Sequence, residues 1–310
     1  MCTAITYKTK NHYFGRNLDL EYSYNEEITI MPRNFPLEFR HMPPLRNHYA
    51  LIGMSYVADG YPLYYDATNE KGLSMAGLNF PEDTEYKPFS TGFDNIAPFE
   101  FIPWILCQCE NLEQVKILLS RTNLIAENFS SQLPCTPLHW MISDPSGSIV
   151  VESVKEGLRI HENPAGVLTN SPAFEIQMWN LRRSSHEMNV PGIPGDLSSV
   201  SRFVRASSVR EHSVSDDSEE SSVSQFFHIL GSAAMPRGCV PVAEKYQYTR
   251  YSSCCNTDLG IYYYTTYENS RITAVDMHLE NLESDQLLTW PLITESQILF
   301  QNSCKENADA

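Results

Sequence analysis

Four strand-like runs, CTAITYK, NHYFGRNLDL, EEITIMPR and ALIGMSYV, succeed one another up to residue 57 with no helical segment between them. Each is short, rich in β-branched or aromatic residues, and broken by polar residues, Gly or Pro, the pattern of a meander of strands. KGLSMAGLNFP (71–81) continues the series, its small residues letting backbones approach closely before Pro81 ends it. Helical periodicity first sets in at Pro98 and runs to Arg121. There Ile102, Ile105 and Leu106, then Leu112, Val115, Leu118 and Leu119, recur at three- and four-residue intervals around an Asn111 cap. Strands return over 138–164, with hairpin turns marked by DPSG and KEG, and helices fit 172–183, 201–211 and 221–231. KYQYTRYSSCC, LGIYYYTTYE and SRITAVDMHL then form a last strand block. An order of strands, helices, strands, helices, strands lacks βαβ alternation. It predicts an α+β protein of antiparallel sheets covered by segregated helices.

With 42% apolar residues, the 310-residue chain can bury a large core, and residues 1–310 are read as one domain of stacked layers. The Ser- and acid-rich stretch 212–224 reads as a solvated loop plus a helix start. Thirty-eight acidic against 22 basic residues leave a net charge of −16, which repels phosphate backbones and anionic membranes, so neither nucleic acid nor membrane insertion is expected. No run has the basic, apolar and small-residue order of an export signal, and a cytoplasmic location is expected. The eight cysteines, at 2, 107, 109, 135, 239, 254, 255 and 304, therefore read as reduced thiols. Their spacings lack the pattern of a zinc site; no metal and no cofactor is expected.

Cys2 follows the initiator methionine directly. Removal of Met1 leaves a residue that carries both a thiol and an α-amine, and the amine can act as base to its own thiol. Taken alone, Cys2 is equally a small hydrophobe packed for its volume. In GRNLDL, Arg16 beside the sulfur favours the thiolate and Asp19 orients the amine; alternatively the two form an exposed ion pair. Three residues apart on a regular strand they face opposite sides, so both reach Cys2 only if the strand ends or bulges between them. Cys135 and His139 also suggest a Cys–His pair, but LHWMIS reads as a buried strand that places His139 for packing.

MCTAITY, FGRNLD, NEKGLSMAGLNFP, LHWMISD, GVLTNSP, PGDLSSVSRFVR, QFFHIL and YYYTTYEN, in that order, resemble the choloylglycine hydrolase family, the bile salt hydrolases and penicillin V acylases of bacteria. The likeness runs from residue 1 to about residue 290. It implies a four-layer αββα N-terminal nucleophile hydrolase fold, with two packed antiparallel sheets between helical layers. Cys2 matches the family's nucleophile, Arg16 and Asp19 its GRNxD motif, Asn79 the Asn of GLNFP, Asn170 that of LTNSP and Arg202 the Arg of SRF. The implied chemistry is attack of Cys2 on an amide carbonyl, with the Asn170 amide and the Asn79 backbone N–H meeting the charge on oxygen. Arg202, at the start of a helix, ties the site together by charge-assisted hydrogen bonds.

Asn79, where penicillin acylases tend to carry Tyr, points to the bile salt branch. The implied substrate is a small molecule, a bile salt conjugated to glycine or taurine. By position Leu18, Phe129 and Leu133 fall where the family lines its cleft. Between the WNL of the preceding helix and SRF only about twenty residues remain, fewer than the resemblance implies. In the family that excursion borders the site and helps assemble a tetramer, so the expected homo-oligomer is the implication this departure touches. The competing readings are a penicillin V acylase-like or other N-acyl amidase, and a binder of amphipathic acids without turnover.

Overall fold

The computed structural model of the chain describes residues 1–185, 192–296 and 298–302. Residues 186–191 of the short segment before SRF, and Cys304, lie outside them. Strands β1 (Cys2–Lys8) and β2 (His12–Leu20) make a hairpin, and β3 (Glu27–Met31), β4 (Leu51–Ala58), β5 (Tyr61–Asn69) and β6 (Ser74–Asn79) follow. The expected meander is divided between two sheets. β1 and β2 take their outer neighbours from far along the chain, so the hairpin leaves the company of β3–β6.

Short β7 (Asp94–Ile96) and β8 (Thr122–Leu124) flank α1 (Phe101–Leu106) and α2 (Leu112–Leu119). Asn111 caps α2 as predicted, its side-chain oxygen accepting the Gln114 N–H at 3.1 Å. β9 (Leu138–Asp144), β10 (Gly147–Val154) and β11 (Gly157–Glu162) turn at the predicted hairpins, followed by β12 (Val167–Leu168). Helices α3 (Phe174–Ser185), α4 (Ser199–His212) and α5 (Glu219–Gly231) come next. The chain continues with β13 (Val240–Val242), β14 (Lys245–Asn256), β15 (Ile261–Thr266), β16 (Thr273–Asp276) and β17 (Leu288–Pro291).

One sheet runs β12-β1-β2-β14-β15-β16, with β13 on β14, and the other runs β11-β10-β9-β6-β5-β4-β3-β17. Every pairing within them is antiparallel. The sheets face each other, α1 and α2 cover the second, and α3–α5 cover the first, giving four layers in the order αββα. Side-chain alternation produces this sandwich. On β9 and β10, Met141 and Val150 enter the core between the sheets, while Trp140, Ile142, Ile149 and Val151 pack under α1 and α2. With both faces covered, β10 is buried over seven of its eight residues, which is why SIVVESV reads as an apolar run rather than an alternating one. Among the described residues no helix is long and apolar enough to cross a membrane.

The centre of the first sheet joins the N-terminal hairpin to the C-terminal strands through β2 and β14. Gly15 permits it: a Cβ there would stand 2.0 Å from the Ser253 carbonyl oxygen, closer than any side chain can sit.

Candidate active site

Cys2 is the first residue of β1 and pairs with Leu18 of β2. Residues directly opposite in an antiparallel pair share a face, so Cys2, Leu18 and, two residues along, Arg16 all point between the sheets. Thr3, Asn17 and Asp19 point to the helical side. Arg16 and Asp19 thus approach the end of β1 from its two faces, and β2 neither ends nor bulges between them. This corrects the sequence expectation. The irregularity lies in the neighbouring strand, where Thr249 pairs with Asp19 and Tyr251 with Leu18, so Arg250 is the extra residue. β1 stops at Cys2, which lets groups on both faces reach its end.

Asn170 lies two residues past β12 and meets Cys2 directly: its Oδ1 accepts the Cys2 N–H at 2.6 Å. The same oxygen accepts Arg202 Nη2 at 2.9 Å. With Oδ1 so committed, Nδ2 donates to the Asn79 carbonyl at 2.8 Å, leaving one N–H of that amide uncommitted. Arg202, fully buried in the first turn of α4, also donates through Nη1 to the Cys2 carbonyl (2.6 Å) and to Thr3 Oγ1 (2.7 Å). Its side chain binds both the nucleophile candidate's backbone and the Asn170 amide. The Asn170 loop is held in turn by Ser199 Oγ, which accepts the Asn170 N–H at 2.9 Å, and by Gln177, which donates to the Asn170 and Pro172 carbonyls. Asn79 ends β6 at the exposed rim. The next residue, Phe80, bonds the Pro137 carbonyl, so by strand alternation the Asn79 N–H turns away from β9.

Two buried polar atoms beside Cys2 lack partners: Arg16 Nη2 and Asp19 Oδ2. Asp19 Oδ1 accepts the Thr249 hydroxyl at 2.6 Å, and the Met1 amine donates to the Asp19 carbonyl at 2.7 Å. Burial pushes the Asp19 carboxyl up, against the lowering pull of Arg202 and the chain terminus. Burial likewise pulls the Met1 amine down, against Cys2 and Asp19. Arg16 Nη1 donates to the Gly77 carbonyl (2.6 Å) and the Tyr65 carbonyl (2.9 Å), so β6 and β5 of the facing sheet hold the guanidinium. Burial opposes its charge, but Cys2, Tyr251, Asp66 and Asp19 together favour it. Burial pushes the Asp66 carboxyl up, opposed by Arg16 and by the hydroxyls of Tyr262 (2.6 Å), Tyr251 (2.8 Å) and Ser253 (3.1 Å) that bond it.

Cys2, 4% exposed, lines a cavity of about 570 Å³. Leu18, Phe129 and Leu133 all line it, with Leu20, Tyr24, Tyr56, Phe99 and Ile102 adding apolar wall and Asn79 at its edge. The structure therefore brings together Cys2, Arg16, Asp19, Asn79, Asn170 and Arg202, with Leu18, Phe129 and Leu133 in the adjoining cavity. Arg40 stacks on the rings of Phe99 and Phe129, each 5.7 Å away, and donates to the Phe129 carbonyl at 2.8 Å. Cys135 is in the cavity wall, whereas His139 is fully buried and bonded to Glu152 and the Thr169 carbonyl, so the two form no dyad.

Sequence reasoning missed Asp66, Thr249, Gln177 and the Tyr24–Tyr56 wall. For Asp66 a signal existed: a lone carboxylate within the otherwise apolar YYDAT of a strand.

The sequence pattern of the linear amide C-N hydrolases, choloylglycine hydrolase family, matches residues 2–290. A bile salt hydrolase/transferase of Lactiplantibacillus plantarum is 50% identical over 324 aligned residues, covering 97% of this chain and 100% of that protein. A bile salt hydrolase/transferase of Clostridium perfringens is 40% identical over 317 aligned residues, covering 94% and 96%. Among solved structures, a conjugated bile acid hydrolase of Clostridium perfringens superposes with a TM-score of 0.90 at 38% identity, covering 97% of this chain and 100% of that one. A penicillin V acylase of Agrobacterium tumefaciens shares the fold, with a TM-score of 0.79 at 19% identity over 94% of this chain and 91% of that one. The αββα sandwich, the polar cluster around a penultimate cysteine and these likenesses agree, and the chain belongs to the choloylglycine hydrolase family of linear amide C-N hydrolases.

Proposed function

We propose that the protein hydrolyses the amide bond of bile salts conjugated to glycine or taurine, with Cys2 as the nucleophile once Met1 is removed. The observation that carries this reading is the position of Cys2: its nitrogen bonds Asn170 and its residue lines an apolar cavity of about 570 Å³. Removal of Met1 turns the Cys2 amide into a free amine beside the unpartnered Asp19 Oδ2. The α-amine takes the Cys2 thiol proton, the resulting thiolate attacks the amide carbonyl carbon, and the carbonyl π electrons move to oxygen. The second Asn170 Nδ2 proton and the Asn79 N–H stabilise that oxyanion. Collapse breaks the C–N bond, the α-ammonium gives its proton to the departing amine, and the acyl group stays on sulfur as a thioester. Water then attacks the thioester while the α-amine takes its proton, and the bile acid leaves with release of the thiolate.

The cavity favours a steroid acyl group, because each Å² of apolar surface it buries is worth about 25 cal/mol. That remote binding can position the scissile amide. In this reading residues 1–310 act as one domain. Homo-oligomeric assembly accompanies it, and Ile176 and Trp179, 49% and 56% exposed on α3, are apolar surface that an interface would cover.

The test compares kcat/KM for glycocholate, taurocholate and penicillin V on one purified sample. Both bile salts are expected to exceed penicillin V, with a smaller difference between the two conjugates. Better turnover of penicillin V overturns the substrate assignment; turnover of none of the three leaves a binder of amphipathic acids.

A further inference from the structure

His139 is wholly buried on β9, on the face that Met141 turns towards the other sheet. Its cross-strand partners are Leu78 on β6 and Glu152 on β10. Nδ1 lies 3.2 Å from Glu152 Oε1, and Nε2 lies 2.7 Å from the Thr169 carbonyl. A carbonyl can only accept, so Nε2 donates to Thr169, and Nδ1 is left facing the Glu152 carboxyl. Glu152 also accepts the Phe174 N–H at 2.9 Å. Burial opposes its ionisation, yet the contact with His139 and the nearby His161 ring, Nε2 3.6 Å from Oε2, more than offset this and hold the carboxyl at about 2. The flat face of His139 stacks on Phe80, with ring centroids 4.3 Å apart and planes within 4°.

Phe80 follows Asn79 and Thr169 precedes Asn170. His139 therefore touches the chain next to both asparagines, one carried by each sheet, and Glu152 grips the far end of the Asn170 loop at Phe174. A buried polar pair is not required for stability, since such pairs can often be replaced together by apolar residues at no net loss. We propose that His139, anchored by Glu152, is a positioning residue that holds Asn79 and Asn170 together as the oxyanion-binding pair. The proposal rests on the reading of those two asparagines given above.

The test uses the full chain with His139→Phe, which keeps the stack and loses both ring nitrogens, and Glu152→Gln, of unchanged shape, with Asn170→Ala as reference. Measured are kcat and KM for glycocholate, the alkylation rate of Cys2 by iodoacetamide, and amide exchange over residues 166–174. His139→Phe is expected to lower kcat about ten-fold or more while KM changes about two-fold at most, since oxyanion donors act in the transition state. Cys2 alkylation stays at the parental rate, exchange over 166–174 speeds up, and Glu152→Gln lowers kcat and speeds exchange by less. If Asn170→Ala loses kcat but folded His139→Phe keeps it, the bracing role is overturned and the oxyanion reading stands. If Asn170→Ala keeps kcat, the oxyanion reading itself fails and the proposal fails with it. Should His139→Phe not fold, Glu152→Gln decides on the same readouts, and parental kcat with parental exchange in it overturns the proposal.

Discussion

Asn170 Oδ1 accepts the Cys2 N–H at 2.6 Å across 168 positions of chain. This bond joins the end of β1 to the loop after β12, the edge strand beside it in the first sheet. Arg202 closes the arrangement by bonding the Cys2 carbonyl and the same Asn170 oxygen. A short chain terminus that would otherwise fray is thereby held at the floor of the cavity.

The purified protein is expected to begin at Cys2 by intact mass. Its thiol should react with iodoacetamide faster than the others, exposed Cys239 included, because only its proton can pass to an α-amine on the same residue, while burial holds the Cys107, Cys254 and Cys255 thiols above their ordinary range. Cys2→Ala should abolish turnover with an unchanged circular dichroism spectrum. Active protein that retains Met1 contradicts the mechanism.

Arg202→Ala removes a buried guanidinium from four acceptors: Leu197, Cys2, Thr3 and Asn170. Hydrogen bonds from a charged group are individually strong, so the unfolding free energy should fall by about 3 kcal/mol, with loss of activity. Arg202→Lys keeps the charge but not the fork and should fall between. Urea unfolding checks both, and an Arg202→Ala protein of parental stability would remove the residue from this structural role.

Gly15→Ala places a Cβ against the Ser253 carbonyl, backbone that cannot rotate aside. The cost should be about 3 kcal/mol, at the upper end for overpacking, because β2 and β14 must part at the sheet centre. Gly60→Ala, at a turn with open space around it, tests instead the left-handed backbone alone and should cost less. Equal midpoints for the two variants in thermal melts would refute the close-approach argument.

Burial lowers the His12 imidazole from 6.5 to about 4, against the opposing pull of Asp258 and Asp144. Between those values the unfolded chain carries a proton on this side chain that the folded protein lacks, so stability falls as pH drops from 6.5 towards 4. The loss is roughly 3 kcal/mol over that window from this one group. His12→Gln should be less stable at pH 7, having lost hydrogen bonds to Thr257 and Ser143, yet show a flatter decline on acidification. Urea unfolding at pH 7, 5.5 and 4 gives the slopes; parallel slopes would assign the acid sensitivity to other groups.

What the sequence determined by itself is local. Alternation and β-branched content set the strands, turn residues set the hairpins after β9 and β10, and Asn111 set the start of α2, because each depends on neighbours a few residues away. The quoted motifs also named the residues that gather at Cys2. Tertiary structure alone decided how they meet. The pairing of β2 with β14 spans more than two hundred residues, and no local signal encodes which distant strand wins a sheet edge. That pairing put the irregularity at Arg250 rather than between Arg16 and Asp19, so the two reach the end of β1 from opposite faces of a regular strand. His139 follows the same rule. Its period along β9 marks it as buried, but only the packing of the two sheets brings Glu152, Phe80 and Thr169 around one ring, since those contacts depend on three separate stretches of chain arriving at one place.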